Sequence, residues 1–321
     1  MSDEKILTKT INLTAFALIL NLALFLASGY LLDWVITLMN EYGTALSETQ
    51  YYLIYDLCDI FTYALSFFIP ALVLARMCGE RLGQCVSLRI SLPRHPLCCI
   101  AGALGIMQAA GIVSDSVLNF FYSFGFDIST DYYQYVPSTA PEIITLFISL
   151  VIIPAVFEEL LFRGVILSRL ARFGPSFGIV VSGVLFGLMH CSTSQFFYAC
   201  VGGMVMAYLT LTSGSVWLAV FIHMLNNLIS FAFIFIDAYA APSANIIIGT
   251  VLTAMMLCGG LAAALRIVRD DAEAPSGLIS AYGEPQYTVK TKILVRRAFS
   301  PLMIVYIVFS LGVLASRFFT L

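Results

Sequence analysis

Long apolar stretches alternate with short polar segments along the whole chain, and this pattern predicts a bundle of membrane-spanning helices. A helix needs about 20 apolar residues to cross the hydrocarbon core of a bilayer. We predict about nine helices, at 11–32, 53–75, 97–121, 142–172, 175–190, 196–211, 216–236, 245–267 and 301–319. The predicted fold class is therefore all-α, a polytopic membrane helical bundle.

Composition supports a membrane protein. The chain is 60% apolar and 11% charged, whereas soluble domains are about 45–50% apolar and about 25% charged. The lipid bilayer is therefore an expected partner. The net charge of −3 points to no further partner, and we expect no nucleic acid to bind.

The basic residues predict the orientation of the bundle, because Lys and Arg concentrate in cytoplasmic loops. If the N-terminus lies inside, every basic residue except Arg317 falls on the inner side, and the outer loops carry acidic residues such as Asp127, Asp131 and Asp237. We predict an N-terminus inside and a location in the cell (plasma) membrane. The short loops and the lack of eukaryotic targeting features favour a bacterial origin.

One apolar run in the middle of the chain contains Glu158, Glu159 and Arg163. An ionisable group in hydrocarbon costs several kcal/mol, by most estimates, unless it faces protein or water. These residues are therefore predicted to face a polar cavity between helices. Glu159 and Arg163 are four residues apart on one helix face, so we expect them to pair and to leave Glu158 free for proton transfer.

Two histidines in later apolar helices are predicted to meet Glu158. Glu158 and His190 lie at equal distances along the chain from a tight turn at Gly174, which puts both at about 22 Å from it for a rise of 1.5 Å per residue. His223 and Asn227 share one face of another helix at a similar depth. Glycines 183 and 187 precede His190 on its own face, where they allow a neighbouring helix to come close.

These four side chains form a set suited to hydrolysis. A carboxylate such as Glu158 can act as general base on water, imidazoles can hold that water or a metal, and the Asn227 amide can donate to an oxyanion. The same cluster could serve an ion-coupled transporter or a non-enzymatic membrane immunity or partner-binding scaffold. Transporters often contain two related halves, and no second copy is evident here, whereas the scaffold remains an alternative.

Three motifs carry a family resemblance: Glu158-Glu159-x-x-x-Arg163, Phe186-x-x-x-His190 and His223-x-x-x-Asn227. In this order they resemble the CPBP family of intramembrane proteases, which includes the type 2 CAAX prenyl endopeptidase and the bacterial Abi or bacteriocin self-immunity proteins. The resemblance implies an endopeptidase that acts on a membrane-associated protein or peptide. It also implies that Glu158 is catalytic, with His190, His223 and Asn227 around the reactive water.

The chain is accordingly divided into three parts. Residues 1–141 are predicted to form N-terminal transmembrane helices, 142–236 the CAAX-protease-like catalytic core, and 237–321 the C-terminal helices with a cytoplasmic linker at 270–283.

The sequence leaves open whether a metal takes part. Glu158, His190 and His223 with a water would make an open catalytic zinc site, and the resemblance implies a divalent metal, with zinc the expected ion. The same groups can also activate water without a metal.

Overall fold

A computed structural model describes residues 2–42, 46–125, 136–273 and 285–316. These residues are helical with loops between the helices, and no strand occurs among them. Arg317, Asp127, Asp131 and most of the predicted linker at 270–283 lie outside the described residues. The predicted all-α fold class is confirmed.

The helices follow one another with short connections. The first four are α1 (Asp3–Tyr42), α2 (Glu48–Met77), the short α3 (Leu82–Cys85) and α4 (Pro96–Ser123). The last six are α8 (Pro175–Met189), α9 (Thr193–Ser213), α10 (Val216–Tyr239), α11 (Pro242–Glu273), α12 (Thr291–Ala298) and α13 (Pro301–Ser316). Residues 140–173 between these two groups form one long, interrupted helix.

This interrupted helix carries the acidic motif. It consists of α5 (Ala140–Phe147), α6 (Ile153–Glu159) and α7 (Leu167–Leu170), separated by π-helical turns at Ile148–Ile152 and Leu160–Ile166 and ended by a 3₁₀ turn at Ala171–Phe173. Pro154 at the start of α6 lacks the N–H that a regular helix would use. The π-helical turns, which are typical of functional sites, thus flank both glutamates.

Each of the nine predicted segments contains a helix, but fewer are long enough to span a membrane. Among the described residues, seven helices have the length and composition to cross, or eight if α12 and α13, bent by 57°, count as one span. Helix α8 has 15 residues, which is short of the roughly 20 that a span needs. The chain is a multi-pass membrane protein, and the predicted inside location of its N-terminus is still a prediction.

Helices α8 and α9 approach each other closely, as the glycines at 183 and 187 predicted. A Cβ on Gly187 would lie 2.6 Å from the backbone oxygen of Phe196 and closer still to the Cys200 sulfur. A Cβ on Gly183 would lie 2.8 Å from the backbone nitrogen of Met204. Only glycine fits at these two positions, and this contact fixes the end of α8 against α9.

The segments that carry basic residues meet at one end of the bundle. After α2, Glu80 accepts hydrogen bonds from Arg169 and from Arg172, the latter at 2.9 Å. The N–H of Tyr287 donates to the Arg172 carbonyl at 3.1 Å. At the start of α1, Glu4 lies 4.0 Å from Arg297. The N-terminus and these loops therefore lie on the same side of the bundle.

Substitution of Gly187 by Ala tests the helix contact. The added Cβ meets backbone atoms that cannot yield without separating the two helices, so we expect a loss of about 1–3 kcal/mol in unfolding free energy, measured by denaturant unfolding in detergent. The matched control is Gly102→Ala in α4, where an added Cβ has no atom within 4 Å and stability should not fall. Equal behaviour of the two variants would contradict the close contact.

Glu80 provides a second test. Hydrogen bonds from Arg169 lower the pKa of the Glu80 carboxyl from 4.5 to about 2, against the opposing effect of its burial. Because the folded pKa is depressed, the stabilisation is complete above pH 4.5 and is lost as the pH falls toward 2. Glu80→Ala leaves the buried Arg169 without this partner, and we expect a loss of about 2 kcal/mol in unfolding free energy at neutral pH.

The control for Glu80 is Glu4→Ala. Its carboxylate is half exposed and its contact with Arg297 is long, so its removal should change stability by less than about 1 kcal/mol. Thermal unfolding of both variants between pH 3 and pH 7 checks this pair, and an equal loss in both would rule out a specific role for Glu80.

Candidate active site

A cavity of about 900 Å³ lies between the helices in the middle of the bundle. Glu158 on α6, His190 directly after α8, and His223 and Asn227 on α10 all line it. The four side chains that the sequence predicted to converge therefore share one cavity. Glu159 and Arg163, which have almost no exposed surface, are buried in the surrounding protein and do not line it.

Glu158 has one engaged and one free carboxylate oxygen. The phenolic hydroxyl of Tyr63 on α2 donates a hydrogen bond to Glu158 Oε1 at 2.5 Å. Oε2 is buried and has no hydrogen-bond partner among the described residues. A buried carboxylate oxygen without a partner is costly. Glu159 Oε2 and Arg163 Nε are also buried without a hydrogen-bond partner in the described part of the chain, but of these three residues only Glu158 lines the cavity. Glu158 Oε2 is therefore the unpaired atom to which a water or a substrate group in the cavity can bind.

Glu159 joins three parts of the site through a single oxygen. Its Oε1 accepts hydrogen bonds from Arg163 Nη1 and from His223 Nδ1, both at 2.9 Å. The predicted pairing of Glu159 with Arg163 is therefore present, and Glu159 also orients His223. The sequence did not predict this second contact, because residues 159 and 223 are 64 positions apart.

Arg163 is fixed by more than its ion pair. Its Nη2 donates to the backbone oxygen of Gly203 on α9 at 3.1 Å. Its guanidinium carbon lies 4.2 Å from the centre of the Phe186 ring, a distance typical of a cation–π contact. Arg163 thus connects the acidic motif to both α8 and α9.

Both imidazoles have a defined tautomer. His190 Nδ1 lies 2.8 Å from the carbonyl oxygen of Phe186, and His223 Nδ1 lies 2.9 Å from the Glu159 carboxylate. Since both of these partners are acceptors, Nδ1 carries the proton in each ring. The Nε2 atom of a neutral ring then has a lone pair, which can accept a hydrogen bond from water or bind a metal.

The chain turns sharply right after His190. Cys191 has φ of 47°, a left-handed conformation that is uncommon for residues other than glycine. Left-handed residues often end helices, and here the turn stops α8 and leads directly into α9. His190 is thereby held at the very end of α8, beside the cavity.

The Asn227 amide is oriented by its neighbour. Asn226 Nδ2 donates to Asn227 Oδ1 at 3.3 Å and to the Tyr198 hydroxyl at 3.0 Å. With its oxygen engaged in this way, Asn227 has its Nδ2 donor available to a ligand in the cavity.

The predicted metal ligands were tested against this geometry. Glu158 Oε2 and the two histidine Nε2 atoms have the right donor chemistry for zinc. Within the described ranges, however, no three His, Cys, Asp or Glu side chains group together as a metal site. The arrangement does not fit the predicted three-ligand site, so a bound divalent metal stays a prediction from the resemblance.

Sequence reasoning missed Tyr63, Tyr198 and Asn226, which contact the predicted site residues or one another. A tyrosine in an apolar helix gives no distinctive signal, since aromatic residues are common there. Asn226 could have been included in the predicted site because it is adjacent to Asn227 in the sequence. Tyr63 could not have been found from the motifs, because it lies 95 residues before Glu158.

Comparison with known proteins gives one match. Residues 140–229 match the model of a family described as type II CAAX prenyl endopeptidase Rce1-like. No curated protein and no solved structure matches the chain.

The matched segment contains all six predicted site residues, and within this segment the family predicted from the three motifs is confirmed. It indicates a CAAX-type intramembrane protease.

Proposed function

We propose that this protein is an intramembrane endopeptidase that hydrolyses a peptide bond of a membrane-associated protein or peptide in the cavity. The observation that carries the proposal is the free Glu158 Oε2, which lies in a cavity shared with His190, His223 and Asn227. A buried carboxylate with an open oxygen beside two imidazoles has the properties of a general base for water.

The reaction begins with a water between Glu158 and the peptide carbonyl. Glu158 Oε2 takes one proton from this water, while His190 Nε2 accepts a hydrogen bond from its other proton. The resulting hydroxide attacks the carbonyl carbon, and the carbonyl oxygen becomes an oxyanion. Asn227 Nδ2 donates a hydrogen bond to that oxyanion.

Breakdown of the tetrahedral intermediate returns the proton. Glu158 gives it to the amide nitrogen, the C–N bond breaks, and the products are a carboxylic acid and an amine, which become a carboxylate and an ammonium group when the acid proton passes to the amine. His223 lies beside Asn227 on α10, and the Glu159 carboxylate fixes the orientation of its ring. His223 Nε2 can accept a second hydrogen bond from the attacking water.

Glu159, Arg163 and Tyr63 act through these groups. Glu159 orients His223, and Arg163 holds the Glu159 carboxylate by an ion pair. Tyr63 occupies Glu158 Oε1, so that Oε2 is directed to the water. None of these steps uses a metal.

The divalent metal predicted from the resemblance is tested by elemental analysis of the purified wild-type protein and of the variants His190→Ala and His223→Ala. Zinc that is stoichiometric in the wild type and lost in both variants would establish a metal site.

The alternative is a non-enzymatic membrane scaffold with an immunity or partner-binding role. Such a protein would not depend on the proton-transfer group. A cellular phenotype that survives Glu158→Gln would favour the scaffold over the protease. The location in a bacterial plasma membrane is part of this proposal and is checked by fractionation of the source cells.

The first prediction concerns the proposed catalytic groups. Glu158→Gln, His190→Ala and Asn227→Ala should each lower the cleavage rate by about 100-fold or more. The readout is the appearance of new peptide termini in a solubilised membrane proteome incubated with purified protein and analysed by mass spectrometry. Asp33→Asn, an exposed carboxylate on α1, is the control and should cleave normally. Full activity in all three variants would refute the proposed mechanism.

The second prediction concerns Tyr63→Phe. Loss of the Tyr63 hydroxyl leaves Glu158 Oε1 without its donor, so the carboxylate is less well positioned, and kcat should fall by at least about tenfold while KM changes little. A purely structural role for Tyr63 would instead lower the thermal unfolding temperature together with activity. Tyr55→Phe on the same helix, where Tyr55 is 38% exposed, is the control and should keep the kcat of the wild type.

A further inference from the structure

The active-site cavity continues well beyond Glu158. Along α10 its wall includes Asn227, Ser230, Ile234 and Asp237, which share one helix face. Asp237 is ten residues beyond Asn227, which corresponds to about 15 Å along the helix. The cavity therefore extends from the proposed reaction centre to the C-terminal end of α10.

A second helix lines the same extension. Gln108, Gly111, Ser114 and Asp115 on α4 face the cavity and recur at helical spacing. Ser114 also donates to the backbone oxygen of Ser194 at 3.0 Å, which connects α4 to the start of α9. Asp115 and Asp237 are both exposed, so their carboxylates lie where the cavity opens.

The described lining of this cavity carries acidic side chains without basic ones. Its described lining includes the carboxylates of Asp115, Glu158 and Asp237, and no Lys or Arg. The sequence contains no Lys or Arg in 95–162 or in 173–265. A cavity with charges of one sign and apolar walls concentrates the electrostatic potential within it.

Two further observations indicate that the cavity binds a ligand with hydrogen-bond donor groups. Glu158 is 2% exposed, and its Oε2 has no hydrogen-bond partner among the described residues, although Glu158 forms part of the cavity wall. At the other end, Asn245 Nδ2 donates to Asp237 Oδ1 at 2.5 Å. This contact holds one carboxylate in place at the opening and leaves its second oxygen available.

The walls between the two ends are largely apolar. They include Met107, Phe231, Phe233, Ile234 and Met256. An extended peptide spans about 3.3–3.6 Å per residue, so about four or five residues cover the 15 Å from Asn227 to Asp237. Apolar side chains would suit this intervening stretch.

We propose that the cavity selects peptides with apolar residues next to the cleaved bond and a positive charge, from Lys, Arg or an N-terminal amine, about four or five residues away. Asp115 and Asp237 receive that charge. This proposal rests on the proposed protease function and adds the substrate class.

The experiment uses purified full-length protein in nanodiscs of zwitterionic lipid and a peptide library made from a proteome. Cleavage sites are those found with wild type and absent with Glu158→Gln. We expect Lys or Arg to be enriched four or five residues from these sites. Three synthetic peptides based on the most frequent site, amidated and differing only by Lys, Gln or Glu at that position, give the quantitative comparison.

We expect kcat/KM to be at least about tenfold higher for the Lys peptide than for the Glu peptide, and this ratio to fall as ionic strength rises. Asp115→Asn and Asp237→Asn should each reduce the ratio by lowering kcat/KM for the Lys peptide, and an unchanged thermal unfolding temperature in nanodiscs shows that the variants are folded. Asp33→Asn is the matched control and should keep the ratio.

The possible outcomes separate the two proposals. Cleavage that depends on Glu158 but shows no preference for Lys, or a preference unchanged in both aspartate variants, overturns the substrate class and leaves the protease function intact. Absence of any cleavage that depends on Glu158 overturns both.

Discussion

The Glu159 carboxylate, buried between Arg163 and His223, is the contact on which the rest of the site depends. One oxygen accepts from both partners at 2.9 Å. Removing two charges from water is costly, and only good geometry with further hydrogen bonds offsets that cost. The further contacts of Arg163 with the Gly203 carbonyl and the Phe186 ring supply this compensation. As a result, the acidic motif, α8, α9 and α10 are held in one arrangement.

Glu158 and its neighbour in sequence differ in their access to the cavity. In each carboxylate one oxygen is held by hydrogen bonds and the other has no partner among the described residues, but Glu158 lines the cavity and Glu159 does not. The difference arises because consecutive residues of a helix point in different directions, one into packed protein and one into the cavity. Tyr63 also shows that the helices outside the family-matched segment contribute directly to the site.

Charge divides the bundle into two ends. The loops that carry most basic residues meet around Glu80, Arg169 and Arg172, while the cavity wall includes the exposed Asp115 and Asp237 in the C-terminal halves of α4 and α10. Residues that favour the predicted cytoplasmic side are thus separated from the acidic residues of the cavity wall. This separation leaves the potential of the cavity negative, with no basic side chain of the described lining to offset it.

Much of the fold and the principal side chains of the site were predictable from the sequence. Apolar stretches of bilayer length require helices, because backbone groups in hydrocarbon must bond within their own segment. The cost of burying Glu158, Glu159 and Arg163 required partners or a cavity, and equal spacing from the Gly174 turn placed His190 at the depth of Glu158.

Only the tertiary structure decided which groups meet. The contacts of Tyr63 with Glu158 and of Glu159 with His223 join residues far apart in the chain, and no local pattern encodes such pairings. The π-helical turns around α6 and the short α8 also depend on packing, since the same apolar sequence could form a regular helix. The sequence by itself determined that a polar site exists between membrane helices, because unpaired charges in hydrocarbon are too costly. The packing determined which oxygen of that site stays free.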